Sequence, residues 1–247
     1  YKLFDIIREI CKSDLVFCWF AYPGAFLPVV LAKLFRKKII VVVGGWDCAN
    51  VPEIGYGMLR KGVRFLPGRV FTKRIVKLAD RIIAISRYNR EEIIKNLHVS
   101  SDKIELIYCG TALNCCQQTR ASEKKEAVLT VARVTPETLK RKGLFTFIET
   151  ARLLPQVPFV LAGEVDRRLQ RHFDSQELPK NLQITGFVDD CRLHQLYREA
   201  KVYAQLSYHE QFSCSLAEAM AHKCVPVVTA QAALPEVVGE TGFYVPY

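Results

Sequence analysis

"KVYAQLSYHEQFSCSLAEAMAHKCVPVVT" (residues 201–229) passes from a strand pattern through a polar loop into a helix pattern and back to a strand pattern. "KVYAQL" is apolar and β-prone, the alanine-rich "LAEAMA" favours a helix, and "CVPVVT" is β-prone again. A strand, a crossover helix and a second strand form a unit that requires a parallel sheet. The same alternation recurs along the chain. Further strands are expected at 14–20, 38–43, 81–85 and 103–108, then at 127–132, 158–163 and 182–186. Their near-continuous apolar character predicts burial on both sheet faces, which defines a doubly wound α/β chain.

Residues 109–126, "CGTALNCCQQTRASEKKE", interrupt this pattern with a polar run that ends in charges. The expected division is therefore a first domain over 1–113, a linker over 114–126 and a second domain over 127–247. With 247 residues, two small domains can each bury a core. Two such sheets leave a cleft, and ligands of open α/β sheets bind beyond the carboxyl ends of the strands.

The nine cysteines show no CxxC spacing, and Cys115 and Cys116 are adjacent. They read as reduced thiols of a cytoplasmic protein rather than as a metal site or a disulfide framework. The net charge of +10 is uneven. Residues 1–115 hold 19 Lys/Arg against 10 Asp/Glu, whereas the remainder is close to balanced. "RKGVRFLPGRVFTKRIVK" (60–77) carries seven basic residues and no acid. A solvated helix face and docking on an anionic membrane surface both account for it. "LVFCWFAYPGAFLPVVLA" (15–32) is uncharged, but Pro23-Gly24 and Pro28 favour strand, turn and buried helix over a membrane span.

The residues also exclude several chemistries. No GxGxxG or GxxxxGK[ST] follows a strand, the five histidines lack metal-ligand spacing, and there is no GxSxG elbow. What remains is an anion site. Ser213 is placed to cap a helix beginning near Cys214, Arg133 follows the strand at 127–132, and Lys142 precedes Gly143 at the start of the next helix. A helix start and two cations make a diphosphate cradle. Glu210 and Glu218 flank that helix start, where carboxylates suit sugar hydroxyls better than phosphates. Solvated carboxylates in a loop and on a helix face are the alternative.

"EQFSCSLAEAMAHKCVPVV", "VLTVARV", "KRKGLFTFIETARLLPQVPFVLAGE", "ITGFVDDCRLHQLYREAKVYAQLS", "LPEVVGETGFYVP" and "ADRIIAISRYNREEI" together resemble the retaining glycosyltransferases of family 4. The resemblance implies the GT-B fold of two facing Rossmann-like domains. It implies an enzyme that moves a sugar from a nucleotide-diphosphate sugar to an acceptor hydroxyl with retention, in surface polysaccharide or glycolipid assembly. In that scheme Glu210 holds the transferred sugar and Glu218 the ribose. Arg133 and Lys142 neutralise the leaving diphosphate, with amides at Phe212, Ser213 and Cys214. The backbone at Gly186 and Val188 meets the base. No metal or other cofactor is implied.

The expected partners are the nucleotide sugar, a glycan or lipid-linked acceptor and an anionic membrane face through 60–77, with no nucleic acid. The expected location is cytoplasmic, peripheral on the membrane. Departures from the family pattern are Gly44 and Gly45 where a histidine is usual, leaving Gly45, Trp46 and Asp47 as acceptor-side candidates, with a loop-capping role the favoured reading of Asp47. "YCGTA" (108–112) retains only Gly110 of its block, and Cys224 and Ala232-Ala233 stand in place of glycines. The chain reads as a fragment lacking the first βα units and the closing helices. A truncated or degenerate paralogue that binds nucleotide or a partner without catalysis is the alternative function.

Overall fold

The computed structural model describes residues 3–60, 62, 66–111, 124–169 and 178–247. Its contacts divide into two units, Tyr1–Cys109 and Gly110–Tyr247. Most of the expected linker lies outside the described residues, and its final two residues, Lys125 and Glu126, open a strand.

In the first unit the elements are α1 (Leu3–Lys12), β1 (Leu15–Trp19), α2 (Phe26–Leu34), β2 (Lys38–Val43), α3 (Leu66–Leu78), β3 (Arg81–Ala84), α4 (Arg87–Leu97) and β4 (Ile104–Leu106). The four strands pair in parallel in the order β1-β2-β3-β4. Ile39, Val41, Val43, Ile75, Ile82 and Ile93 form the centre of the core beneath them. The uncharged run 15–32 is resolved into β1, a short turn at Pro23–Ala25 and the start of α2. No helix among the described residues is long and apolar enough to cross a membrane.

The second unit contains β5 (Lys125–Val131), α5 (Pro136–Arg141), α6 (Leu144–Leu153), β6 (Phe159–Ala162), β7 (Leu182–Ile184), α7 (Asp190–Glu199), β8 (Ala200–Gln205), α8 (Cys214–Ala221), β9 (Val225–Thr229), α9 (Leu234–Val238) and β10 (Phe243–Val245). All its pairings are parallel, in the order β10-β9-β8-β5-β6-β7. Strand order reverses between β5 and β8, the point at which such sheets bind ligands. Leu129, Tyr197, Tyr203, Leu216 and Leu234 are fully buried against one another or their neighbours in this core.

The turn after α8 corrects one expectation. The residue in the left-handed region that favours glycine is Lys223 (φ 64), not Cys224. A lysine there costs about 1 kcal/mol relative to glycine. Cys224 is instead buried, with its thiol donating to the carbonyls of Tyr197 (3.0 Å) and Ala200 (3.3 Å).

Candidate donor site

The site is built at the carboxyl ends of β5 and β8. "TPETLKRKG" (135–143) sets up its basic side. Thr135 and Thr138 form a reciprocal capping box and Pro136 occupies the first turn, which fixes the start of α5. The helix has only six residues, so Arg141 falls in its last turn and Lys142 at its C-cap, where the dipole favours cations. Gly143 ends it with φ 62. A Cβ on Gly143 would stand 2.0 Å from the carbonyl oxygen of Leu206. Only glycine permits this approach, and it brings the Lys142–Gly143 turn against the end of β8. Tyr208 N–H donates to the Arg141 carbonyl at 2.8 Å, closing the same junction.

Glu210 meets that turn. Lys142 Nζ lies 2.9 Å and Arg141 Nη1 3.2 Å from Glu210 Oε1. All three side chains are between 11% and 16% exposed, so the pairs are largely shielded from solvent. Ser207 Oγ (3.2 Å) and Gln205 Nε2 (3.4 Å) donate to the same oxygen. Burial by itself raises Glu210's pKa, but the Lys142 and Arg141 charges outweigh it and hold the carboxyl below its ordinary value. Arg141 also donates to the His209 carbonyl (3.2 Å) and pairs with Glu137 (3.2 Å).

Behind Glu210 a buried polar network continues. Gln205 Nε2 donates to Ser207 Oγ at 2.6 Å, and Gln205 Oε1 accepts from Ser213 Oγ at 3.2 Å. The Tyr203 hydroxyl lies 2.9 Å from Ser215 Oγ and 3.2 Å from Gln205 Oε1. Burial is the chief reason its pKa is raised.

One expectation about this region is corrected. The helix does begin at Cys214, but Ser213 does not cap it through its side chain. Ser213 has φ 76, and its hydroxyl turns to Gln205 instead. Arg133, just after β5, is 66% exposed and pairs with Glu164 at 3.3 Å. Both ends of that pair are solvated, which makes it weak.

Glu218 is held separately, by the Tyr197 hydroxyl, which donates to Glu218 Oε2 at 3.0 Å. The Tyr197 ring stacks on His222 (interplanar angle 13°), and His222 Nε2 lies 2.7 Å from His194 Nδ1. Burial, followed by the His194, Arg198 and Lys124 charges, lowers the His222 pKa. Phe212 is buried at the start of α8, whereas Cys214 is exposed. Gly186 (φ 70) lies beside Gly163, whose N–H donates to its carbonyl at 3.0 Å. Val188 packs on the edge of the second core.

In the first unit Asp47 is fully buried. Its carboxylate accepts from the amides of Ala21 (2.9 Å), Gly44 (3.1 Å) and Gly45 (2.8 Å). It therefore anchors the loop after β2 rather than presenting a carboxylate to an acceptor. Burial raises its pKa against the pull of these amides. Trp46 packs edge-on to Tyr56 and beneath the Arg60 guanidinium. A side chain at Gly44 would strike the Phe20 ring, 2.1 Å from its Cβ position.

Sequence reasoning missed Arg141, Gln205 and Tyr197. Arg141 had a usable signal, its spacing of four from Glu137 on one helix face. A cavity of about 440 Å³ in the second unit, lined by Val128, Phe147, Phe159 and Val202 among others, contains none of the predicted site residues. Among the described residues no group of three or more His, Cys, Asp or Glu is arranged to hold a metal ion.

Two parallel α/β units, the second with its binding loops at the switch point, define the GT-B class. The chain belongs to the family of glycosyl transferases group 1, whose model matches residues 116–246, and a model of glycosyltransferase family 4 matches residues 1–114. Among curated proteins it is 26% identical to a processive diacylglycerol alpha-glucosyltransferase of Acholeplasma laidlawii, over 79% of this chain and 61% of that protein. It is 24% identical to a diphospho-undecaprenol-linked alpha-N-acetylgalactosaminyltransferase of Campylobacter jejuni, over 90% of this chain and 60% of that protein. The fold is similar to that of HepE from Anabaena crystallised with UDP (TM-score 0.75, 18% identity, 98% of this chain and 67% of that one). The chain thus spans about three fifths of the length of these two curated relatives.

Proposed function

We propose that this chain supplies the donor site of a retaining glycosyltransferase that moves a sugar from a nucleotide-diphosphate sugar to an acceptor hydroxyl. The observation that carries the reading is the largely shielded Lys142–Glu210 pair at 2.9 Å, at the switch point of a chain of this family. Glycosyl transfer from a nucleotide sugar is limited by charge separation: positive charge grows at the anomeric carbon while negative charge grows on the departing diphosphate. Preorganised groups aimed at those charges lower the barrier. Lys142 is assigned to the diphosphate and Glu210 to the sugar. Arg133, held by a weak solvated pair, is free to turn to an incoming anion. Glu218, aimed by Tyr197, is assigned to the ribose, and the amides at Phe212 to Cys214 to the phosphates. The backbone at Gly186 and Val188 is assigned to the base. Leaving-group stabilisation falls to the protein's cations, so the scheme calls for no metal.

Retention, and a role in surface polysaccharide or glycolipid assembly on the cytoplasmic side of a membrane, rest on the sequence resemblance and on what the named relatives make. A panel of UDP-, GDP- and ADP-sugars tests the donor. The cognate compound at a hundred times its dissociation constant is expected to stabilise the protein by about 2.7 kcal/mol. NMR of the product anomer tests retention, and failure of every nucleotide sugar to bind would contradict the assignment.

The acceptor is proposed to be a glycan or a lipid-linked glycan met at a membrane surface. On α3, Leu66, Val70, Arg74 and Lys77 are exposed at helical spacing, and the helix contains no acid. Such a face suits anionic lipid. Co-sedimentation with phosphatidylglycerol vesicles, lost with phosphatidylcholine alone or at high salt, is the expected result. Equal binding to neutral vesicles would count against it.

A second reading, nucleotide binding without transfer, draws on the loop after β2. There Gly44 is covered by Phe20 and the Asp47 carboxylate is consumed by three amides. Turnover with any acceptor would dismiss it.

A further inference from the structure

Glu210 has more cationic partners than a sugar-binding carboxylate needs. Both Lys142 and Arg141 reach its Oε1, yet the donor scheme assigns Lys142 to phosphate. A diphosphate bears more charge than one carboxylate, so Lys142 is drawn from Glu210 as the donor enters. A buried carboxylate left with neutral partners alone would take up a proton, because burial disfavours its charged form.

We infer that Arg141 is a positioning residue that keeps Glu210 ionised and aimed while Lys142 serves the donor diphosphate. The inference rests on the donor-site reading given above. Arg141 suits this task because it is held from three sides: by the His209 carbonyl, by Glu137 and by Glu210 itself. Its guanidinium fork can bind several acceptors at once, and it stays charged at any pH the protein meets. Its backbone carbonyl accepts from the Tyr208 amide, which holds the residue's main chain at the α5–β8 junction. The charged and titratable groups facing Glu210 are Lys142 and Arg141 from the end of α5, Tyr203 from β8 and His209 beside it, with Glu137 behind Arg141. Of these, Arg141 and Lys142 are the two that lower its pKa by charge.

The test compares Arg141→Met, Arg141→Lys and Lys142→Met. Arg141→Met is expected to leave nucleoside diphosphate affinity, measured by calorimetry with UDP, GDP and ADP, within about threefold of the parent. It should lower kcat by at least about tenfold and shift the acid limb of kcat to higher pH. Arg141→Lys should restore most of that limb, and Lys142→Met should weaken diphosphate binding at least about tenfold.

A second measurement needs no turnover. Glu210's lowered pKa means that its stabilising charge is present above the unfolded carboxylate value and is lost as pH falls through the folded one. In Arg141→Met the folded pKa moves back toward the unfolded one, so the thermal midpoint should fall less on acidification than in the parent. That difference should vanish in a Glu210→Gln background, which separates it from loss of the Glu137 pair. An unchanged pH profile in Arg141→Met, or a diphosphate affinity as poor as that of Lys142→Met, overturns the inference. Neutral behaviour of both Lys142→Met and Glu210→Gln in transfer would instead overturn the donor-site reading, while the stability profile still decides the role of Arg141.

Discussion

Replacing Lys142 by methionine is expected to lower transfer by about 10²–10³-fold, because in the proposed scheme it is a preorganised cation aimed at the leaving group, and such a cation contributes about 3–4 kcal/mol to the barrier. The fold suffers less. Glu210 retains Arg141 at 3.2 Å together with Ser207 and Gln205, so its charge is not left alone. A stability loss of about 1–2 kcal/mol is expected, well short of the cost of a buried charge with no partner. Glu210→Gln should lose activity to a comparable degree, since the amide keeps the shape but not the charge. Steady-state transfer and denaturant unfolding on the same preparations separate the two effects. Activity falling only in proportion to the folded fraction would mean that the pair is structural.

Gly143→Ala is the second large effect, and it acts through the backbone. The residue sits at φ 62, and the added Cβ would lie 2.0 Å from the Leu206 carbonyl oxygen. The left-handed conformation costs about 1–2 kcal/mol, and relieving a backbone clash adds a similar amount, so about 3 kcal/mol of destabilisation is expected. The thermal midpoint of the second unit should drop by about 10 °C. Activity should also fall in protein that remains folded, because Lys142 is the next residue and would be displaced from Glu210. A midpoint within about 2 °C of the parent's would show that the turn yields easily.

Much of the architecture was legible because parallel strands are covered on both faces and therefore read as apolar runs. "KIIVVV" and "CVPVVT" could hardly be anything else once helix patterns separated them. β10 (Phe243–Val245) escaped. Lys142 was legible from its place at the start of a helix, and Glu210 from its place on the loop after a strand. Arg141 was not, because three cations run together in "KRKG" and only the end of α5 decides which turn inward. Tyr197 reads as an ordinary core tyrosine, and its hydroxyl contact with Glu218 depends on how α7 and α8 pack. Ser213 was misjudged as a side-chain cap because its positive φ leaves no trace in residue type. Of the two readings of Asp47, the loop cap is the one that three backbone amides on its carboxylate agree with.

The central claim is that Lys142 stands where the donor's diphosphate binds. Calorimetric titration of the parent and of Lys142→Met with the nucleoside diphosphate that binds best tests it most directly. The account predicts a loss of affinity of at least about tenfold, the cost of one charge-assisted contact. Equal affinity in the two proteins would contradict it.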